Sequence, residues 1–567
     1  MFFQRRHFVS AAVTTALLLH FGGMAEAVPS EFLRNPGEEI RKMTEPRPEA
    51  DVDDQTPQPP PETKEKTFVV KKIDLDASEL RLNQRDLAKI LEGGMNREVT
   101  LSEFDGIVHQ LTLYCRQHGY PASAAYLPAQ TSTDGTVVIR VIPGRIGKVQ
   151  LDNRSGMKDT VAMGFLKGLK PGDIIRTGKL ETALYSISEK SGTKAVGVLS
   201  PGEGFGTSDV TVRIESGKTR NVTLYAENYG SKASGRYRFG LQYGQYDAGG
   251  TGARLNVGVM TSNRKLRNYY ANYEMLVGRG GTTLGLGVSR MTYELGGAFD
   301  ALGATGTANT VSLFGSRPLF HLTDHQMKFV YGYDYRQLED NLGGFVDSEY
   351  QTILKTMLGN LDSEKHSHNL HVGIDGADRF PKAGIAIAYD TKATMGWISM
   401  DSAYSRFMNN YNDTEGRFMK LEANVTAVQS LGHMTDVVAK LSGQMANRNL
   451  DSSEEFYLGG ARGVRAYPQA EASGDQGWLG SLELRYHTKL PGLTLSTYLD
   501  GGHVKLVKNY DGPDNSRSLK GWGIGVAYSK PDDWFARLDY ARRIGNDGIS
   551  ADAQSKGRTW FILGKIW

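Results

Sequence analysis

Downstream of Gly217 the chain is a succession of segments in which apolar and polar residues alternate with a period of two, separated by Gly, Asp, Asn and Ser. In one segment Met419, Leu421, Ala423, Val425 and Ala427 share a face, and Lys420, Glu422, Asn424 and Thr426 share the other. In a second, Leu482, Leu484 and Tyr486 oppose Ser481, Glu483, Arg485 and His487; in a third, Trp534, Ala536, Leu538 and Tyr540 oppose Arg537 and Asp539. Successive side chains of a strand point to opposite faces, so each segment predicts a strand that is apolar on one side only. Stretches of about 10 such residues with aromatics near their ends are the pattern of a membrane barrel, apolar toward lipid and polar toward the lumen. A soluble sandwich or propeller has shorter strands and does not explain the closing aromatics Trp560, Phe561 and Trp567. Either 16 or 17 candidate strands can be drawn, the ambiguity falling between Gly373 and Asn409. If the upstream units and the C-terminus share one side of the membrane the number is even, which selects 16.

Upstream of Gly217 the pattern differs. Phe68-Val69-Val70 and Ile73 predict a strand; Leu87, Ile90 and Leu91, then Phe104, Ile107, Val108, Leu111 and Tyr114, recur at helical spacing; Val137 to Val141 reads as a closing strand. A second unit repeats the plan, with a strand through Ile146, Val149 and Leu151 and helical faces at Val161–Leu169 and Leu180–Ile187. Strands at Val196–Leu199 and Val210–Ile214 complete it. Two consecutive units of the same size and order are an internal repeat. The expected divisions are 67–143, 144–217 and a barrel over 218–567.

The first 66 residues belong to neither pattern. Arg5, Arg6 and His7 precede an apolar run from Phe8 to Phe21, and Ala25-Glu26-Ala27 supplies a small-x-small cleavage site, so 1–27 reads as a secretory signal peptide. A membrane anchor needs about 20 apolar residues, more than this interrupted run contains. From Val28 to Lys66 the composition is polar, with Pro57, Pro59, Pro60 and Pro61 close together, and reads as a linker. Ser30 stands at the cap of a short helical pattern through Phe32, Leu33, Ile40 and Met43, which Pro36 interrupts; plain disorder fits the same residues.

Composition narrows the function classes. No later apolar run is long enough for a membrane helix, and a mean hydropathy of −0.40 fits a barrel as well as a soluble protein, because half of each strand is polar. The single cysteine, Cys115, excludes an intramolecular disulfide. A formal charge of +3 over 567 residues argues against a dedicated nucleic-acid binder.

The sequence contains no HExxH, no GxSxG and no paired-cysteine spacing, so no catalytic or metal residues and no cofactor are assigned. Gly217-Lys218-Thr219 imitates the end of a phosphate loop, but Val212 stands where its first glycine is required. Gly202, Gly204 and Gly206 read as a hairpin turn.

The informative stretch runs from Phe456 to Arg485: Leu458-Gly459-Gly460, then Val464-Arg465-Ala466-Tyr467, then Gly474-Asp475-Gln476-Gly477 before a clean strand. A loop so rich in glycine, with an apolar-flanked arginine, predicts a segment at about 456–477 that folds back into the lumen. There a desolvated guanidinium needs a fixed anion. Asp500 is the candidate, because Leu493, Leu495 and Leu499 take the lipid-facing parity of their strand and leave Asp500 inward. The guanidinium fork matches a carboxylate through two hydrogen bonds. From spacing alone, Arg465 as one of many lumen charges is an equally good reading.

The tetrad Val464-Arg465-Ala466-Tyr467, the following Gly474-Asp475-x-Gly477 and the Asp500 strand resemble the signatures of the two-partner secretion transporters, the TpsB family. The two α/β units resemble that family's polypeptide-transport-associated (POTRA) domains. Tyr114, Gly119-Tyr120, Ala124, Leu127-Pro128 and Gly135 to Gly144 match the first; Pro201-Gly202, Gly206-Thr207-Ser208 and Val210 match the second. The match covers nearly everything after Thr67. It departs at Ala466, where the family usually has glycine, and a Cβ there disfavours a left-handed backbone.

The resemblance implies a 16-stranded antiparallel barrel in the outer membrane preceded by two periplasmic POTRA domains. These would recognise the N-terminal secretion domain of an unfolded TpsA-type exoprotein, which crosses the barrel without ATP. It further implies that residues 30–45 plug the barrel, that Asp500 holds Arg465, and that Phe561, Leu563 and Trp567 form a C-terminal signal for the barrel assembly machinery. The expected partners are the exoprotein, outer-membrane lipid and that machinery, with the chain a monomer. A barrel-assembly factor of the same superfamily is the alternative, although such proteins usually carry more POTRA units; a diffusion porin would carry none.

Overall fold

The computed structural model describes residues 50–54, 67–130, 134–296, 303–342, 356, 362–469, 471–512, 514–545, 548–549, 551–552 and 554–567. The leader at 1–27 and the pattern at 30–45 lie outside the described residues.

In the first unit, strands Lys72–Asp76, Thr136–Ile142 and Ala124–Tyr126 form one sheet, the first pair parallel and the second antiparallel. Helices α1 (Gln84–Glu92) and α2 (Leu101–Gln117) belong to the same unit. Thr100 caps α2 through a reciprocal box with Glu103, which satisfies two amides at the helix start. Phe104, Ile107, Val108 and Leu111 then fall on one buried face against Val137 and Ile139. Cys115 is fully buried beside Leu80 and Tyr120, and burial pushes its thiol pKa up. A short strand between the helices, Glu98–Thr100, pairs with Thr67–Val69 and extends the sequence reading.

The second unit carries α3 (Asp159–Leu166) and α4 (Thr177–Ser191) with a sheet whose consecutive strands are Ala50–Asp54, Ala195–Pro201, Thr207–Ile214 and Arg145–Asn153. Its outermost strand comes from the linker: Ala50–Asp54 pairs in parallel with Ala195–Leu199, taking up the backbone groups of an otherwise open edge. The polar linker cannot fold alone, but here it gains structure by joining a sheet that already exists.

Among the described residues sixteen strands close into an antiparallel barrel. They are β1 (Arg220–Glu227), β2 (Arg238–Ala248), β3 (Ala253–Ser262), β4 (Arg267–Leu276), β5 (Thr283–Glu294), β6 (Ala304–His321), β7 (His325–Leu342) and β8 (Asp362–Phe380). The circuit continues with β9 (Ile385–Met400), β10 (Gly416–Ser430), β11 (Thr435–Ala446), β12 (Gln476–His487), β13 (Leu493–Lys505), β14 (Ser516–Ser529), β15 (Trp534–Arg543) and β16 (Gly557–Ile566). Each strand pairs with its sequence neighbour, and β16 closes on β1 over Thr223↔Ile566 to Glu227↔Ile562. The ambiguous stretch between Gly373 and Asn409 resolves into the end of β8, a tight turn at Pro381–Ala383, β9, and the start of helix α5 (Ala403–Asn412), which is capped by Ser402.

The alternation sorts as expected. Leu286, Met419, Leu421, Leu482, Leu484, Leu499 and Leu538 stand on the outer wall, whereas Lys420, Glu483, Asp500 and Asp539 are hidden within. Among the described residues no helix is long and apolar enough to cross a membrane; this chain crosses with strands.

The second unit is seated against one mouth of the barrel. Thr323, in the turn after β6, donates from its amide and hydroxyl to the Glu181 carboxylate of α4, at 3.0 and 2.7 Å. Tyr185 stacks on His321, and the Lys158 amide donates to the Gly250 carbonyl at 2.9 Å. Gly192 ends α4 at φ 71°, and a Cβ there would lie 2.7 Å from Tyr246 Cβ, so a side chain is excluded both by the backbone turn and by the barrel.

Candidate functional site

The site is the loop between β11 and β12, residues 447–475. It is a hairpin whose neck pairs Phe456 with Gly474 and Tyr457 with Ser473. Its tip is turned inward and packs on the barrel wall. Phe456, Leu458, Val464, Ala466, Tyr467 and Ala472 are buried together with Tyr498, Val504, Leu519 and Ala541, so an apolar core forms inside an otherwise polar lumen. That core fixes where the arginine points.

Arg465 is 8% exposed and meets Asp500 as a fork: Nε donates to Oδ2 at 2.8 Å and Nη2 to Oδ1 at 2.7 Å. The Arg465 backbone amide also donates to Oδ2, at 3.2 Å. Nη1 donates to Glu483 Oε2 at 3.1 Å, Nη2 to the Ser481 hydroxyl at 3.1 Å, and Asp539 stands 3.7 Å away. The guanidinium carbon lies 3.2 Å from the centre of the Tyr498 ring. Trp560 Nε1 donates to the Arg465 carbonyl at 2.6 Å.

The cluster balances its charge. Arg485 donates to Glu483 at 2.8 Å, and Arg537 donates to Asp539 at 2.7 Å and Glu483 at 3.2 Å, so three arginines face three carboxylates. A buried ion pair offsets its desolvation only with several well-aimed hydrogen bonds, and those are present here.

The other sequence-predicted residues sit around this centre. Asp475 joins the two ends of the loop by accepting from the Leu450 amide at 2.9 Å, and ties it to the β13–β14 connection by accepting from the Lys508 amide at 2.6 Å. A Cβ on Gly474 would strike the Lys505 carbonyl, and one on Gly477 would strike the His503 carbonyl and Val504. Val464 and Tyr467 are fully buried. Ala466 is absent from the left-handed region of the backbone, and its Cβ lies 2.5 Å from where a Cβ on Gly521 would stand; bare wall at Gly521 makes room for the alanine. Leu563 and Trp567 face outward at the end of β16, with Phe561 half-buried on the same side.

Sequence reasoning paired Arg465 with Asp500 and missed Glu483, Ser481, Tyr498 and Trp560 as its further partners. Inward parity marks Glu483 and Ser481, but parity alone does not say which loop residue they meet. Trp560 belongs to the closing aromatic run yet faces inward onto the loop.

A sixteen-stranded barrel with α/β units at one mouth and its own loop anchored across the lumen is the architecture of an outer-membrane polypeptide translocation channel. Over residues 206–528 the chain matches the family described as haemolysin secretion/activation protein ShlB/FhaC/HecB, and over 68–144 a POTRA domain of the ShlB type. The heme/hemopexin transporter protein HuxB of Haemophilus influenzae is 24% identical over 575 residues, covering 99% of this chain and 98% of HuxB. The outer membrane transporter CdiB of Dickeya dadantii is 22% identical over 489 residues, covering 83% and 81%. Among solved structures, CdiB from Escherichia coli superposes with a TM-score of 0.70 at 18% identity, covering 96% of this chain and 100% of that one. BamA from Haemophilus ducreyi lacking POTRA domains 1–3 gives 0.51 at 13% identity, covering 88% and 100%.

The chain belongs to the haemolysin secretion/activation protein family. It is an outer-membrane transporter of two-partner secretion, with its POTRA domains in the periplasm, and it exports a partner exoprotein through its barrel.

Proposed function

We infer that the POTRA units capture the N-terminal secretion domain of one large TpsA-type exoprotein in extended form and feed it to the barrel. We further infer that the Arg465–Asp500 pair holds the inward loop in the arrangement export requires. The observation that carries the second inference is the fork itself: a guanidinium shielded from water and bound by both oxygens of one wall carboxylate. Support for capture in extended form comes from the Ala195–Leu199 edge, whose pairing with Ala50–Asp54 shows the geometry of strand addition; a cargo segment would take the place of that strand. The periplasm lacks ATP, so net movement is drawn outward by folding of the cargo at the cell surface. The activity is transport rather than catalysis, the working unit is a monomer, and Phe561, Leu563 and Trp567 address the chain to the barrel assembly machinery.

Arg465→Ala and Asp500→Ala test the pair. Arg465→Ala leaves the buried Asp500 carboxylate without its cation, and Asp500→Ala takes from Arg465 the fork and leaves it the single contacts to Glu483 and Ser481, a loss of up to about 3–5 kcal/mol of local anchoring. Secretion is expected to fall at least tenfold while the barrel still migrates as a folded, heat-modifiable species. Normal secretion by both variants would remove the role. Deleting the gene and comparing secreted and surface proteomes tests the cargo: loss of one large exoprotein is the expected result, and loss of many barrels would instead indicate an assembly factor.

A further inference from the structure

The inward loop touches the barrel at a second place, far around the wall from Arg465. Its root, Asp451-Ser452-Ser453-Glu454, is a single tight turn in which Asp451 Oδ1 accepts from the Ser453 amide at 3.1 Å and from its hydroxyl at 2.7 Å. The other oxygen of Asp451 receives Lys365 Nζ from β8 at 2.7 Å. Glu454 is 3% exposed. Its Oε1 receives Arg336 Nη1 from β7 at 2.6 Å and Asn369 Nδ2 from β8 at 2.9 Å; its Oε2 receives Lys420 Nζ from β10 at 2.8 Å. Its carbonyl also accepts from Lys420 at 3.1 Å and from Gln444 of β11 at 2.9 Å.

The two contacts are opposite in sign. At the tip a loop cation meets wall carboxylates on β12, β13 and β15; at the root loop carboxylates meet wall cations on β7, β8 and β10. The root borders a cavity that faces the second POTRA unit. This cavity of about 1140 Å³ lies between the α4 end of the second POTRA unit and the loop; Ser188, Glu189 and Lys190 line one end, Ser453 and Glu454 contribute at the other, and Arg465 and Asp500 lie outside its lining. Two of the three wall cations at the root, Arg336 and Lys420, also have a second carboxylate nearby: Asp334 stands 3.7 Å from Arg336, and Glu422 stands 3.8 Å from Lys420. Release of Glu454 therefore does not strand either cation in a lumen without a counter-charge.

We propose that Asp451 and Glu454 form the releasable gate of the channel: they tie the loop root to the β7–β11 wall at rest. Export opens the path by exchanging these contacts, Arg336 passing to Asp334 and Lys420 to Glu422, while Arg465 stays on Asp500. The proposal rests on the reading of this chain as an exporter. Its permanent anchor and its moving contact are separate sets of residues.

Ion conductance of the purified full-length protein in planar lipid bilayers tests the gate, because it needs no cargo. Glu454→Gln and Asp451→Lys are expected to raise the fraction of time spent open roughly tenfold, the shift that about 1.4 kcal/mol of lost closure produces. The exchange Asp451→Lys with Lys365→Glu restores one ion pair in reverse and is expected to return the channel toward the closed state, which a merely loosened fold would not do. If a loop variant fails to fold, Lys365→Met and Lys420→Met break the same contacts from the wall side, with heat-modifiability reporting the barrel. Folded variants that conduct like the parent would overturn the gate. Secretion that persists after gene deletion would overturn the export reading instead, so the two failures are distinguishable.

Discussion

Phe104, Leu111 and Ile139 of the first POTRA unit and Ser367 and Asn369 of the barrel are equally hidden from water, yet the first group is apolar and the second polar. In the periplasmic unit burial means removal from water into a packed apolar core, which is what stabilises so small a domain. In the barrel the apolar side chains are turned to the outer wall, where lipid accepts them, and the interior is left polar enough to solvate a passing backbone. The same residue type thus has opposite consequences in the two halves of one chain. The inward loop is the exception: around Val464 and Tyr467 the lumen packs as the POTRA core does.

The largest effect expected from this contrast is at Phe104. Phe104→Ala should cost the first POTRA unit about 3–5 kcal/mol, read as new protease sensitivity of that unit. The heat-modifiable barrel should be unchanged, and a barrel lost along with the unit would show that the two halves are not separate cores. Next comes Val288, near the middle of β5 and 48% exposed on the outer wall. Val288→Lys should destabilise the folded barrel by about 2–4 kcal/mol in a urea titration in lipid vesicles, although the residue looks like a tolerant surface position. Gly521→Ala should cost about 1–3 kcal/mol and detach the loop tip, measured as lost protection of that loop from hydrogen exchange. Ala466→Gly in the same chain should recover most of it; no recovery would show that the alanine and the bare wall are not a matched pair. The smallest effect is at Asn272, which lines the cavity. Asn272→Ala should change stability by less than about 0.5 kcal/mol, and a larger loss would mean that the lumen is packed after all.

The outer and inner faces were legible because parity is a local signal: Leu482 next to Glu483, or Leu499 next to Asp500, states its own orientation within two residues. The same parity pointed Asp500 at the lumen and made it a partner for Arg465. Glu454 was not legible. Its partners Arg336, Asn369 and Lys420 lie on three strands far away in sequence, and on a polar face one more lysine carries no period to distinguish it. Only closure of the barrel brings them within reach. The strand at Ala50–Asp54 was not legible for a related reason: Ala-Asp-Val-Asp-Asp is too short and too acidic to mark a strand by itself, and it becomes one by borrowing the edge of Ala195–Leu199. The helix α5 likewise sits where strand pattern was sought, its apolar Met408 buried and Tyr411 exposed on a short turn sequence.

Cys115 carries a practical consequence. It is the only cysteine of the chain, it is fully buried, and its raised pKa keeps little of the reactive thiolate. For spectroscopy the protein therefore comes with an almost silent thiol background. A cysteine placed at the partly exposed Ala461 of the loop or on the outer rim can take a spin or fluorescent label in the otherwise native sequence, so loop movement can be followed in real time without first stripping the molecule of competing sites.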